Sequence, residues 1–212
     1  SSPDHPYKND AYLRIADCLY IQKQYDRAIT FYTKNDQKNG KEYANYQIAI
    51  IYYLKNDLMS SRRLFENFLE KYPDSFYSDN ALFQLGGILI DLEQFESAIA
   101  VFDDFINRYG NSDFLPEAYE GRAVALTNTN NYQKAAADYA FILDQYINLP
   151  IAQEAIIGLQ SLRGFGYEVN EFDQYMAKMR ELNPDNKGLE AISFEQLKSL
   201  YFNEKYQMLL TR

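Results

Sequence analysis

The side chains that most often carry catalysis are scarce in this sequence. It contains one histidine, His5, and one cysteine, Cys18. His5 lies in the lead-in segment before the first predicted helix, where we interpret it as a solvated linker residue. A Ser-His-Asp or Cys-His arrangement needs a histidine held beside its nucleophile, and the usual zinc sets draw several ligands from Cys and His. The sequence therefore predicts neither kind of site.

Two other stretches contain residue types that could do chemistry. Asp103 and Asp104 are adjacent carboxylates, but neighbouring residues of a helix point about 100° apart, so we interpret them as part of a solvated face. The Gly-Phe-Gly sequence at 164–166 lacks the length and the Lys-Ser/Thr of a phosphate loop and is interpreted as a turn. We therefore predict a protein that is not an enzyme and has no cofactor or metal.

Charge and composition exclude some classes of partner. The 212 residues include 30 Asp and Glu against 21 Lys and Arg, a net charge of -9, and we find no basic block. Nucleic acids and anionic membrane surfaces attract clustered Lys and Arg, so neither is an expected partner. The longest strongly apolar run, residues 48–54, is far shorter than a bilayer-spanning helix, and direct membrane insertion is not expected.

Small and aromatic residues recur along the chain at fixed offsets. A small residue returns at intervals of 33, 37 and 37, with an aromatic residue four positions later and a second small residue twelve positions earlier. The small residues are Ala28, Ser61, Ala98 and Ala135, the aromatic residues are Tyr32, Phe65, Phe102 and Tyr139, and the earlier small residues are Ala16, Ala49, Gly86 and Ala123. Repetition at such a period is typical of helical repeat proteins.

Each copy of the repeat predicts two helices joined by a short polar turn. In the third copy, Leu82 and Leu89 lie on one face of the first helix, and Phe95, Ala98 and Phe102 lie on one face of the second. The small residues let the two helices approach closely, and the aromatic rings fill the space beside them. Because such a hairpin cannot bury its apolar face alone, it must stack on a neighbour.

A second recurring phrase predicts how one helix pair leads into the next. The sequence YPDSFYSDNALFQLG begins at Tyr72, and YGNSDFLPEAYEGRA begins at Tyr109. Both contain Tyr, a helix breaker, a Ser two residues later and a polar lead into an apolar run. The predicted breakers are Gly40, Pro73, Gly110 and Pro184, with Ile147 at the fourth place.

With these residues located, the pattern resembles the tetratricopeptide repeat (TPR). The signature W-x2-L-G-x2-Y, then A-x3-F, then P is matched in the third copy by Leu85, Gly86, Leu89, Ala98 and Phe102, although tryptophan is absent throughout. The longer copies are similar to TPR proteins of bacterial envelopes, of the outer-membrane assembly lipoprotein and cell-division coordinator types. The resemblance implies an all-α, right-handed superhelical solenoid of antiparallel helix pairs.

We expect one TPR solenoid over residues 1–212. The expected pairs lie at about 10–40, 43–73, 80–110, 117–147 and 154–184, with a partial sixth pair at 190–212. The fifth copy is degenerate, because Phe172 stands where alanine is expected and a longer segment replaces the usual turn. Neither end resembles the polar cap of a solenoid, which favours a fragment of a longer array.

The resemblance also indicates where a partner would bind. In the TPR family the first helix of each pair lines the concave side, so its outward positions are candidate contacts. These positions are Leu13, Asp17, Tyr20, Tyr46, Ile50, Tyr53, Phe83, Gly87, Ile90, Glu120, Val124 and Thr127. TPR domains that grip a peptide carboxylate use Lys, Asn and Arg there, and none of the twelve is one of these.

The middle of the predicted groove is aromatic and aliphatic, which favours an apolar or amphipathic segment laid over the second and third copies. The alternative is that Tyr46, Tyr53 and Phe83 only pack on adjacent helices. The sequence thus supports a non-catalytic scaffold that binds a peptide or a partner protein in the concave groove.

Two other functions stay open. One is a structural subunit of a bacterial envelope assembly complex that engages folded partners through its convex face or its ends. The other is an enzyme whose catalytic domain lies outside this sequence. The resemblance favours the periplasm or cell envelope over the cytoplasm, and the sequence identifies neither the partner nor the oligomeric state.

Overall fold

The computed structural model describes residues 8–35 and 38–182, without the side chains of residues 38 and 39. These residues form ten α-helices and no strand. The helices are α1 (Lys8–Ile21), α2 (Tyr25–Thr33), α3 (Lys38–Leu54), α4 (Leu58–Lys71), α5 (Ser78–Asp91), α6 (Phe95–Arg108), α7 (Leu115–Asn128), α8 (Tyr132–Gln145), α9 (Ile151–Gly164) and α10 (Phe172–Leu182). The predicted partial sixth pair lies outside the described residues.

Consecutive helices pair, as the sequence predicts, and the fold is an all-α solenoid of the TPR type. We call the first helix of each pair the A helix and the second the B helix. The chain divides into two compact units, Ser1–Phe114 and Leu115–Arg212. In unit 1 the pairs are α1/α2, α3/α4 and α5/α6. The B helix of one pair packs on the A helix of the next, α2 on α3 and α4 on α5. In unit 2 the pair α7/α8 is followed by α9, which packs on both, and by α10, which packs on α9.

The turn inside each of the first four pairs has one backbone design. A non-glycine residue with positive φ follows the A helix of each of these four pairs: Lys23, Asn56, Glu93 and Asn130. In the first pair the N–H of Lys23 donates to the Tyr20 carbonyl and that of Gln24 to the Leu19 carbonyl, both at 2.8 Å. This is the Schellman arrangement, which satisfies carbonyls that the helix end leaves free. The turn reverses the chain direction within a few residues and so lets the B helix pack antiparallel to the A helix.

Small residues facing aromatic rings form the seam between the two helices of a pair. Ala98 is 0% exposed and Phe102 is 1% exposed. A Cβ atom added to Gly86 of α5 would lie 2.6 Å from a ring carbon of Phe102 on α6. In the second pair the hydroxyl of Ser61 donates to the Ala49 carbonyl at 2.8 Å, which satisfies the one polar group at this buried place. The predicted small and aromatic positions therefore do form the core.

The Ser of the recurring phrase closes the loop between pairs. The N–H of Ser75 donates to the Tyr72 carbonyl at 3.1 Å, and its hydroxyl accepts from the Tyr77 N–H at 3.3 Å. Ser112 repeats both bonds, with the Tyr109 carbonyl and the Phe114 N–H. Serine suits this place because its hydroxyl can bond the backbone two residues on.

The breaker predicted at Gly40 is wrong. Helix α3 begins at Lys38, so Gly40 lies in its first turn. A Cβ atom there would lie 3.0 Å from Cδ1 of Leu13 and would collide with the Asn35 side chain. The glycine serves close packing against the first pair and does not end a helix.

In the fifth copy Phe172 stands where the repeat spacing expects alanine, and the packing there differs from that of the other copies. Gly166, with φ of 83°, ends α9 with the same Schellman bonds, but α10 begins only at Phe172. Phe172 is therefore the first residue of its helix, as Phe95 is in α6, and it is 1% exposed. The longer turn delays the start of α10, and Met176 and Met179 supply the other buried residues of the helix.

An ion pair joins the helices of the fourth pair. Arg122 Nε lies 2.8 Å from Asp138 Oδ2, and Arg122 Nη2 lies 2.6 Å from Asp138 Oδ1. Leu85 and Val101 occupy these places one copy earlier. Since Asp138 is only 5% exposed, the bidentate arginine offsets the cost of burying its charge.

The seam predicts opposite effects for the same substitution at two adjacent residues. Gly86→Ala puts a methyl group into the Phe102 ring, so we expect a loss of about 1–3 kcal/mol in the free energy of unfolding. Gly87→Ala meets nothing within 4 Å and should stabilise by up to about 1 kcal/mol, because alanine favours the helix. Urea titrations of both variants check this, and equal effects would contradict the seam.

Candidate functional site

All twelve candidate contact residues lie on A helices, and all are half-buried. Nine belong to unit 1, on α1, α3 and α5, and three to α7 in unit 2. Half-buried residues are fixed by contacts within the protein, and the exposed part of each side chain can still contact a partner. The contacts of each group decide what remains available.

Two stacked aromatic pairs repeat along unit 1. Tyr46 stacks on Tyr77 with ring centroids 5.2 Å apart and planes 20° apart. Phe83 stacks on Phe114 at 5.1 Å and 19°. Tyr77 is the N-cap of α5, so the first stack ties α3 to the beginning of the next pair. Offset stacking of this kind adds about 0.5–1.5 kcal/mol beyond area burial.

Both A-helix rings also touch the core edge-on. Tyr46 meets Phe68 at 6.0 Å between centroids, and Phe83 meets Phe105 at 6.2 Å. Burial, and then the charge of Asp79, raise the pKa of the Tyr46 phenol to about 12. Tyr46 and Phe83 therefore do pack on adjacent elements, and only the exposed parts of their rings belong to the candidate face.

The first A helix is occupied by internal hydrogen bonds. Oδ1 of Asp17 accepts from the Tyr32 hydroxyl at 2.6 Å and from the Tyr43 hydroxyl at 2.8 Å. Burial and these bonds raise the pKa of Tyr43 to about 12 and that of Tyr32 further. Asp17 therefore joins α1, α2 and α3, which leaves it little freedom to bind a ligand. Leu13 and Tyr20 pack on the same buried cluster.

The other ends of α3 and α5 meet through a hydrogen bond. The Tyr53 hydroxyl lies 3.3 Å from Oδ2 of Asp91, and burial followed by the Asp91 charge raises the pKa of Tyr53. Ile50 lies one turn before Tyr53, and Gly87 and Ile90 lie in the last two turns of α5. Between the aromatic stack and this bond, the face therefore consists of half-buried aliphatic residues and a glycine.

The face of unit 2 is acidic. Burial, then Glu154 and Glu117, raise the pKa of Glu120. Oε2 of Glu117 is buried and has no hydrogen-bond partner in the described part of the chain. Thr127 donates to the Ala123 carbonyl within α7, and Val124 lies between Glu120 and Thr127 on the same helix face.

Sequence reasoning missed three residues of this arrangement. Tyr77, Phe114 and Asp91 are partners of predicted positions, yet they lie outside the outward positions of the A helices. Tyr77 and Phe114 stand 37 residues apart, as Tyr46 and Phe83 do. That shared spacing is the signal that could have paired them.

Of the residues considered for catalysis, His5 lies outside the described residues, and Cys18 is exposed on α1. Asp104 pairs with Arg108 at 3.0 Å on the surface of α6, and the Gly-Phe-Gly sequence forms the turn after α9. Among the described residues, no group of three or more His, Cys, Asp and Glu could hold a metal ion. No described helix is both long and apolar enough to cross a membrane.

The described residues thus form an all-α repeat of helical hairpins. Family models described as "Tetratricopeptide repeat" match residues 10–34, 43–75 and 83–150, together more than half of the chain. The chain belongs to the tetratricopeptide repeat family. These matches do not distinguish the envelope types that the longer copies resemble.

Solved structures share the fold at low sequence identity. MamA 41-end from Desulfovibrio magneticus RS-1 is 15% identical with a TM-score of 0.69, covering 88% of this chain and 99% of that one. YrrB, described as a TPR protein with an unusual peptide-binding site, is 19% identical with a TM-score of 0.65, covering 86% and 90%. A TPR protein from Parabacteroides merdae ATCC 43184 is 13% identical with a TM-score of 0.69, covering 96% and 79%. No curated protein matches the chain.

The acidic face of unit 2 predicts a pH-dependent gain from Glu120→Gln. The folded state raises the pKa of Glu120 above its unfolded value, so its contribution to stability is present at low pH and is lost as the pH rises through the folded pKa. The variant should therefore melt at a higher temperature than the wild type at pH 7. At a pH below the unfolded pKa the two should melt alike, because the carboxyl is then neutral in both states.

Calorimetric scans at both pH values check this, with Glu168→Gln as the control for an exposed loop carboxylate. A gain of equal size at both pH values would contradict the role of charge.

Proposed function

We propose that this protein is a non-catalytic scaffold that binds a peptide segment or a partner protein on the A-helix face of unit 1. The observation that carries the proposal is the half-buried apolar strip between the Tyr46–Tyr77 stack and the Tyr53–Asp91 bond. Ile50 and Ile90 lie in this strip. Apolar side chains on a shape-stable surface are suited to hold an apolar partner residue.

The chemistry of the face favours an apolar or amphipathic segment. None of the nine unit 1 positions is Lys or Arg, so a free carboxylate would find no counter-charge there. Tyrosine and isoleucine offer contact area, and tyrosine also offers a hydroxyl at little entropic cost. The description of YrrB as peptide-binding supports a peptide as the kind of partner for this fold.

A second candidate function uses the opposite side of the repeat. On helix α4, Met59 is 60% exposed and lines a cleft with Arg62, Arg63 and Glu66. The cleft therefore offers a partner one apolar side chain among charged groups. This observation favours a structural subunit that engages a folded partner through its B helices, as in a bacterial envelope assembly complex. Location in the periplasm or envelope, with the cytoplasm as the alternative, is part of that proposal and is tested by cell fractionation.

One affinity purification separates the two functions. The tagged full chain carries Ile50→Ala with Ile90→Ala on the A-helix face, or Met59→Ala with Arg63→Ala on α4, and the co-purified proteins are quantified by mass spectrometry. We avoid Tyr46 and Phe83 because their stacks hold the fold. We expect the A-helix variant to lose proteins that both the wild type and the α4 variant retain.

Thermal melts of each variant show whether folding is kept. Loss of those proteins only from the α4 variant would support the second function and contradict the first. Retention by both folded variants would reject both faces.

A further inference from the structure

One apolar place of the repeat holds a carboxamide in the second copy. It is the place of tryptophan in the TPR signature, in the first half of each A helix. The five copies have Tyr12, Asn45, Leu82, Tyr119 and Ile156 there. Asn45 is the one side chain of the five with neither a ring nor a branched aliphatic chain. The second hairpin therefore has less to fill this part of the groove between its two helices.

In two other copies a ring of the A helix fills this groove by packing on a ring of the B helix. Tyr12 of α1 meets Phe31 of α2 with ring centroids 6.1 Å apart. Tyr119 of α7 stacks on Phe141 of α8 at 4.0 Å, with planes 27° apart. The groove of this hairpin can thus hold a tyrosine ring at this place.

The second copy has a cleft where those two copies have a pair of rings. Leu64 and Asn67 stand in the B-helix positions of the two phenylalanines. Together with Asn45 they line a cleft of about 560 Å³ between the first half of α3 and the second half of α4. This volume lies within the range of about 300–1,000 Å³ that is usual for ligand pockets.

The lining of the cleft changes from buried and apolar to exposed and charged. Phe68, Glu70 and Lys71 also line it. Phe68 is 2% exposed and Leu64 is half-buried, whereas Glu70 and Lys71 are exposed. The cleft therefore has an apolar floor and a rim that bears one charge of each sign. Such a rim favours a neutral ligand over a cation or an anion.

Two carboxamides line the cleft, one on each helix. Nδ2 of Asn45 donates to the Tyr72 hydroxyl at 3.3 Å, and Nδ2 of Asn67 donates to the Arg63 carbonyl at 2.9 Å. Both bonds use the amide nitrogen, and the amide oxygen of each side chain has two lone pairs that can accept from a hydroxyl group. The cleft thus combines an apolar floor with acceptors for a hydroxyl.

We propose that the cleft between α3 and α4 binds a tyrosine side chain of a partner protein. The ring takes the place that Tyr12 and Tyr119 occupy in their own copies and packs on the apolar floor. Its hydroxyl donates to one of the carboxamides, since a buried tyrosine hydroxyl usually finds a hydrogen-bond partner. The cleft shares no residue with the A-helix strip or with the cleft at Met59, so the inference is independent of the proposed function.

The test titrates the wild-type chain with the acetylated and amidated peptide Gly-Gly-Tyr-Gly-Gly and follows the side-chain amide signals of Asn45 and Asn67 by NMR. Peptides with Phe or Leu at the centre measure what the hydroxyl and the ring contribute. Asn45→Tyr and Asn67→Phe each fill the cleft from one helix, and Asn111→Tyr adds a ring at an exposed loop position as the control. Asn67 is exposed, so Asn67→Phe should keep the fold even if Asn45→Tyr does not, and thermal melts check both.

We expect millimolar binding of the Tyr peptide that shifts both amide signals. Binding should weaken at least about threefold with the Phe peptide, which lacks the hydroxyl, and further with the Leu peptide. Each folded filling variant should weaken binding at least about tenfold, while Asn111→Tyr leaves it unchanged. Unshifted amide signals, or wild-type affinity in a folded filling variant, would overturn the proposal. A Leu peptide that binds as tightly as the Tyr peptide would also overturn it, because the cleft would then select only apolar volume.

Discussion

The contact between a small residue and an aromatic ring across each of the first four hairpins determines the rest of this structure. Gly86 against Phe102 is its tightest form, since one added carbon would overlap the ring. The small residue brings the two helix axes close, and the ring fills the volume that this approach leaves. The B helix is thereby fixed against its A helix, and the outward positions of the A helix face away from the seam.

Stacking of successive pairs relies on the residues just outside the seam. Tyr46 and Phe83 are one copy apart, and each reaches a ring that follows its own B helix, Tyr77 or Phe114. In the first pair Asp17 joins α1 to α2 and to the next pair, because it accepts hydrogen bonds from the hydroxyls of Tyr32 and Tyr43. Positions that the TPR resemblance assigns to ligand contact thus also hold neighbouring repeats in register. The face that we propose for a partner is therefore narrower than the twelve positions and centres on the aliphatic strip of α3 and α5.

Most of the fold could be predicted from the sequence, because the small and aromatic positions repeat at fixed spacing and both packing partners lie within one copy. Gly40 was placed wrongly because a glycine marks either a helix end or a close approach, and only the position of α1 decides which. The packing around Phe172 could not be predicted because the turn of the fifth pair is longer and α10 begins later. The Arg122–Asp138 pair and the aromatic stacks depend on residues that meet only in the folded chain. Gly86 and Gly87 are equivalent in the sequence, yet only Gly86 lies against a ring, and the sequence alone could not show which of the two does.

Hydrogen–deuterium exchange shows directly whether partners bind the A-helix face of unit 1. The wild-type chain is measured alone and with a saturating amount of a protein recovered in the affinity purification. We expect slower exchange in α3 and α5 and unchanged exchange in α4. Slowing confined to α4 and α6 would contradict it.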